Sequence, residues 1–116
     1  MTLEDMIRAL NLKLLTRPKD FGRVAVTEGY ASDLLSRVLA EAPRHGVWVT
    51  LQSHVNVVAV AAVLDLAAVI ITEGSTTEAD TIAKANEEGI TLLTTDAPTF
   101  GVVGRLWELS VRDKSS

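Results

Sequence analysis

The chain has 116 residues and a mass of 12.5 kDa, about one domain and long enough to bury a core without disulfides or metals. It is 47% hydrophobic and 22% charged, a balance that excludes intrinsic disorder. Eleven Lys and Arg against fifteen Asp and Glu leave a net charge of -4, which gives no basic footprint for nucleic acid or an anionic membrane; with no Cys there is no disulfide, thiolate nucleophile or Cys-held cluster.

In chain order, Thr2 caps an expected first helix, with Glu4 and Asp5 at its positive end and Leu3, Met6, Ile7 and Leu10 at helical spacing. Asn11 stops it. Leu12 to Leu15 reads as a short strand and Arg17 to Gly22 as a loop. In that loop Arg17, Lys19 and Arg23 surround Phe21 as a solvated basic cluster. Val24 and Val26 alternate with small or polar residues, so a second strand is expected there, ended by Gly29. Ser32 then caps a helix that places Leu34, Leu35, Val38 and Leu39 on one face. Tyr30 stands before it as a staple or a site residue, and His45 lies in an exposed turn.

From residue 47 the pattern is more regular. Strands are expected at Val47–Leu51, Ala67–Thr72 and Ile90–Thr94. Each is followed by a helix, opened by Ser53, by Thr77, and by Asp96 with Pro98, and running to about Leu64, Glu88 and Leu109. Thr50, Thr72 and Thr94 recur at equal intervals, the period of a βα unit. Apolar strands joined by crossover helices predict an α/β fold with a largely parallel sheet covered on both faces. Gly101 and Gly104 fall inside the last helix, where close backbone packing is the expected reason for them. The domain is expected to span residues 1–111, with a polar, frayed tail at 112–116.

The apolar run from Val55 to Ile71 is broken by Asn56 and Asp65, so it reads as a buried helix and strand and not a membrane span. The N-terminal residues carry acids and no small-residue cleavage site, so no signal peptide is expected. The expected compartment is the cytoplasm.

In an open parallel sheet, ligands bind beyond the carboxyl ends of the strands, where helix N-termini offer free N–H groups. Here those ends bring together Gln52, Ser53, His54 and Asn56, then Thr72, Glu73 and Gly74, then Asp96. These are the candidate ligand-binding residues, although Ser, Thr and Asp are also ordinary capping residues. His54 is the candidate to hydrogen-bond a phosphate or base, or else a first-turn helix residue touching a neighbour. The chain shows no nucleophile–base pair and no Gly-x-x-x-x-Gly-Lys-Ser/Thr phosphate loop, so catalysis is not expected. Neither a metal nor a cofactor is expected.

Three segments carry a resemblance: Glu28–Ser36, Trp48–Ala61 and Val69–Gly74. Through them the chain resembles the short standalone members of the DRTGG domain family over nearly its whole length. The family's naming pattern has Asp-Arg at a helix entry and Thr-Gly-Gly after the next strand; here Ser53-His54-Val55-Asn56 and Thr72-Glu73-Gly74 stand, so Thr72 and Gly74 match it. The resemblance implies a three-layer α/β/α fold similar to the N-terminal domain of HPr kinase/phosphorylase, without that enzyme's kinase activity. Such domains accompany CBS domains in pyrophosphatase regulatory regions and contribute to dimer contacts there, and standalone members accompany iron-only hydrogenase genes. The expected function is a non-catalytic regulatory or interaction module, a homodimer that binds a small anionic ligand such as a nucleotide at the strand ends. The alternative is an accessory protein of a redox enzyme system, of the iron-only hydrogenase kind, acting by protein–protein contact.

Overall fold

The computed structural model describes residues 1–114. Five short strands form a single sheet in the order β1-β5-β4-β3-β2. They are β1 (Lys13–Leu14), β2 (Gly29–Ala31), β3 (Val47–Thr50), β4 (Ala68–Ile71) and β5 (Leu92–Thr94). β2 to β5 are parallel, with Trp48 opposite Val69 and Ile71 opposite Thr94. β1 is antiparallel to β5 and closes the far edge, with Lys13 opposite Thr94. The helices are α1 (Leu3–Ala9), α2 (Leu35–Glu41), α3 (Asn56–Val63), α4 (Ala79–Glu88) and α5 (Thr99–Glu108).

The central strands are buried on both faces, because alternate residues point to opposite cores. Trp48, Val69, Ile71 and Leu92 pack with Val38 of α2, Val57, Val58 and Ala61 of α3, and Ala85 of α4. Val47, Val49, Ala68, Ile70 and Leu93 pack on the other side with Leu3 and Met6 of α1 and Val102 and Leu106 of α5. This is the expected α/β/α sandwich. Since β2 to β5 step across the sheet in one direction, α2, α3 and α4 all lie on one face. The strand order does not reverse within the parallel run, so there is no crevice of the kind that a doubly wound sheet opens at a reversal.

Several local expectations are corrected. The second strand lies at Gly29–Ala31, so Gly29 begins it. Val24 and Val26 do alternate, but their backbone partners are the first residues: Leu3 N donates to Val24 O and Val26 N to Met1 O, leaving only the isolated bridge Thr2–Ala25. α2 starts after Leu34, and Leu34 and Leu39 are exposed while Val38 is buried. α3 starts at Asn56, α4 at Ala79 and α5 at Thr99, each two or three residues after the expected opening. The basic loop keeps Arg17, Lys19 and Arg23 exposed as expected, and it is pinned by Arg17 N donating to Asn86 Oδ1, Lys19 Nζ to Gly89 O, and Arg23 pairing with Asp20. At the C-terminal end, Arg112 N donates to Thr27 O and Gly29 N to Arg112 O, a one-residue extension of the β2 edge. Of the expected tail, Ser115 and Ser116 lie outside the described residues.

Candidate functional site

At the carboxyl edge the loop after β3 is held by its neighbours. Asp33 Oδ1 accepts from the Thr50 hydroxyl at 2.8 Å and from Leu51 N at 2.9 Å. Gln52 N donates to Thr50 Oγ1 and its side-chain amide to Asp33 O. Ser53 does not cap α3; its carbonyl accepts from the buried Thr81 hydroxyl of α4 at 3.0 Å. Val55 is the N-cap residue; His54, one residue before it, accepts from Asn56 N through Nδ1 at 3.2 Å and from Val57 N through its carbonyl. The loop from Gln52 to Val55 is therefore ordered from beneath, and the exposed His54 and Asn56 form its outer surface.

Thr72, Glu73, Gly74 and Asp96 form a second group one strand along. The buried Thr72 hydroxyl meets Thr99 Oγ1 at 2.6 Å, and reaches back to Thr50 O at 3.4 Å. Glu73 and Gly74 are both left-handed, at φ 63° and 65°. Such a turn suits Gly74 and strains Glu73. It is pinned by Glu73 N donating to Ala97 O and Gly74 N to Thr95 O. The Glu73 carboxylate then accepts from Thr99 N at 2.7 Å, at the start of α5. It satisfies one of the helix's free donors and sits at the positive end of its dipole. A Cβ on Gly74 would stand 3.1 Å from Asp96 Oδ1, which brings Asp96 over this turn. Asp96 makes no cap itself; Pro98 is the N-cap residue and no side chain caps from that position.

The predicted residues thus fall into two adjacent groups, joined through Thr72 and Thr50. Sequence reasoning missed Thr81 and Thr99, whose partners lie 28 and 27 residues away. It also missed the organising role of Asp33, although Ser32 and Asp33 stand out as turn residues. Asp33, Glu73 and Asp96 line the edge, with Glu78 and Asp80 at the entry to α4. The basic side chains placed at the same edge are His54 and Lys13, the latter opposite Thr94 in the sheet register. The edge is acidic on balance, which disfavours a bare anion. Among the described residues no group of His or acidic side chains could hold a metal ion, and no helix is long and apolar enough to cross a membrane.

Among the described residues, two of the concave surfaces that lie away from this edge are apolar in part. A groove of about 430 Å³ at the amino ends of the strands is lined by Leu3, Phe21, Leu66, Ile90 and others. On its wall His45 Nδ1 is 3.2 Å from Asp65 Oδ2, in a pair of left-handed turns. The other, an apolar cavity of about 260 Å³, lies between β2 and α5, lined by Ala31, Val49, Val103, Leu106 and Trp107 among others.

No protein-family model and no curated protein matches the chain. Among solved structures it is similar to the CBS and DRTGG domains of the regulatory region of Clostridium perfringens pyrophosphatase, complexed with the activator diadenosine tetraphosphate. The TM-score is 0.74 at 16% identity, covering 95% of this chain and 47% of that one. The chain has a DRTGG-like fold. It spans about half the length of that structure, and at this identity the likeness carries the architecture alone.

Proposed function

We propose that this chain is a non-catalytic regulatory module that binds a nucleotide across the carboxyl edge of its sheet, with Gln52, His54, Asn56, Gly74 and Asp96 as the contacting residues and Ser53, Thr72 and Glu73 holding their loops in place. The observation that carries this reading is the meeting of three successive strand-to-helix loops at one edge, each pinned from below and polar on its outer side. The fold likeness to a regulatory region complexed with a dinucleotide activator supports it. The carboxylates of Asp33, Glu73 and Asp96 add a condition: the phosphates arrive with their charge screened by magnesium carried on the nucleotide, and His54 donates to them through Nε2–H, since its Nδ1 accepts from Asn56 N. The described residues of this edge offer polar groups and a fixed geometry, which suit binding.

The test is a thermal-shift series with ATP, GTP, diadenosine tetraphosphate and inorganic phosphate, each with and without magnesium. A ligand present at about 100 times its dissociation constant stabilises by roughly 2.7 kcal/mol, a rise of several degrees for a domain of this size. The expected result is a rise with one nucleotide in magnesium. In His54→Ala that rise falls by more than half; because the variant also loses the Nδ1 bond to Asn56 N and melts a few degrees lower without ligand, the rise is read against the variant's own unliganded value. No rise with any of these compounds overturns the nucleotide reading and leaves a role in protein contact.

A further inference from the structure

The apolar cavity between β2 and α5 has a cause in the sequence. Gly29 and Ala31 stand opposite Val47 and Val49 in the parallel register, so all four turn to the same face of the sheet. On that face Val47 and Val49 pack with Val102 and Leu106 of α5. The edge strand adds no side chain at Gly29 and one methyl group at Ala31 to the same layer, and a cavity of about 260 Å³ is left beside them. Gly29 is fixed by its neighbours, since a Cβ there would stand 3.3 Å from Val47 Cγ2 and 3.6 Å from Val111 Cγ1. Ala31 is exposed at the open side.

Val49, Val103, Leu106 and the Trp107 ring make the other walls. One charge is held against them. The Arg112 guanidinium lies over the Trp107 ring, with Cζ 5.5 Å from its centroid, and its Nε donates to Trp107 O at 3.4 Å. Among the described residues it pairs with no carboxylate. Asp113 also lines the cavity, and it borders the adjoining cleft together with Arg37, Glu41 and Lys114. Glu41 and Lys114 offset one another at 3.8 Å. Arg37 and Arg112 then stand against Asp113 alone, so these surroundings favour a negative charge. We propose that this cavity binds a small apolar carboxylate, with its body against Val49, Val103 and Leu106 and its carboxylate on the Arg112 guanidinium. A guanidinium meets a carboxylate through two parallel N–H donors and can stay stacked on an aromatic ring while it does so. An apolar cavity of about 150 Å³ holds a benzene ring, so this one has room for about ten to twelve heavy atoms, the size of an aryl or branched alkyl acid.

None of these residues belongs to the proposed nucleotide site, so the two readings stand or fall separately. The probes are 3-phenylpropionate, an acid of the right size, and its neutral amide, 3-phenylpropanamide. Amide and indole resonances of the isotope-labelled full chain are followed as each is added. The acid is expected to shift the signals of Ala31, Val49, Val103 and the Trp107 indole saturably, with a dissociation constant on the order of 0.1 mM. The amide has the same shape without the charge and is expected to bind about tenfold more weakly. Arg112→Gln is expected to weaken the acid to the level of the amide and to leave the amide unchanged; Arg112 is exposed, so this variant keeps its fold. Ala31→Leu puts a side chain into the cavity and is expected to abolish binding of both, with a dispersed spectrum showing that the fold persists. Shifts that are absent, or that fall on other residues, overturn the proposal. So do an amide that binds as well as the acid, and acid binding that either variant leaves at wild-type strength.

Discussion

Glu73 is held by two opposed effects. Its backbone is left-handed at φ 63°, a conformation that costs a non-glycine residue about 1 kcal/mol. Its carboxylate caps α5 through Thr99 N, which offsets that cost by about 0.5–2 kcal/mol. Glu73→Ala loses the cap and keeps the strain, whereas Glu73→Gly loses the cap and relieves it. Chemical denaturation is therefore expected to find both variants destabilised, with the alanine variant lower by about 1 kcal/mol. Equal stabilities would mean that the turn stores no strain. Asp33 shows a different balance. It lies on the surface, yet Asp33→Ala strips the buried Thr50 hydroxyl and Leu51 N–H of their partner. A loss of about 1–3 kcal/mol is expected, with faster amide exchange over the loop after β3.

At the level of elements, α1 gives the clearest agreement between local chemistry and structure. Thr2 and Asp5 form a reciprocal capping box, with Asp5 N donating to Thr2 Oγ1 and Thr2 N to the Asp5 carboxylate. The Thr2 N–H, first, and then its hydroxyl and Arg8 hold the Asp5 carboxyl below the ordinary Asp value. A group whose folded pKa is depressed contributes stability above its unfolded pKa and loses it as pH falls through the folded value. Asp5→Asn is thus expected to lower the melting temperature slightly at pH 7. The difference from wild type should close as pH falls below about 4. A difference that persists at pH 2 would show that the side chain acts through shape and not charge. α5 is the opposite case: its buried stripe, Val102 and Leu106, was legible from spacing, while no side chain caps it from its N-cap residue Pro98.

Across the whole molecule, the one-way winding of β2 to β5 decides the shape of the carboxyl edge. All three crossover helices share a face, so the carboxyl edge forms a shelf of loops and not a cleft between two halves of a sheet. Trp48 anchors that arrangement. It is fully buried among α2 and α3 residues, and its indole N–H donates to Ser32 O at 2.8 Å, tying β3 to the chain leaving β2. Trp48→Phe removes this bond and opens space, for an expected loss of about 1–3 kcal/mol. Urea unfolding followed by circular dichroism measures it. A loss below about 0.5 kcal/mol would mean that the core closes around the smaller ring.

Sequence alone determined what depends on near neighbours and on periodicity. The cap at Thr2, the apolar strands at 47–50, 68–71 and 92–94, the crossover helices between them and the parallel sheet they imply were all legible, because burial on both faces demands uninterrupted apolar strands. The candidate loops were legible as polar strand ends. Which of their groups remain available was decided only by tertiary structure. Ser53, Thr72 and Glu73 are engaged by Thr81 and Thr99, partners that sequence separation hides. The weak strand at 29–31 was also invisible, since Gly29 joins the sheet through Val47 on one side and Arg112 on the other, neither of them near in sequence. Edge pairing and loop anchoring are long-range hydrogen bonds: they are satisfied by whatever donor or acceptor the folded chain brings close, and no local pattern has to announce them.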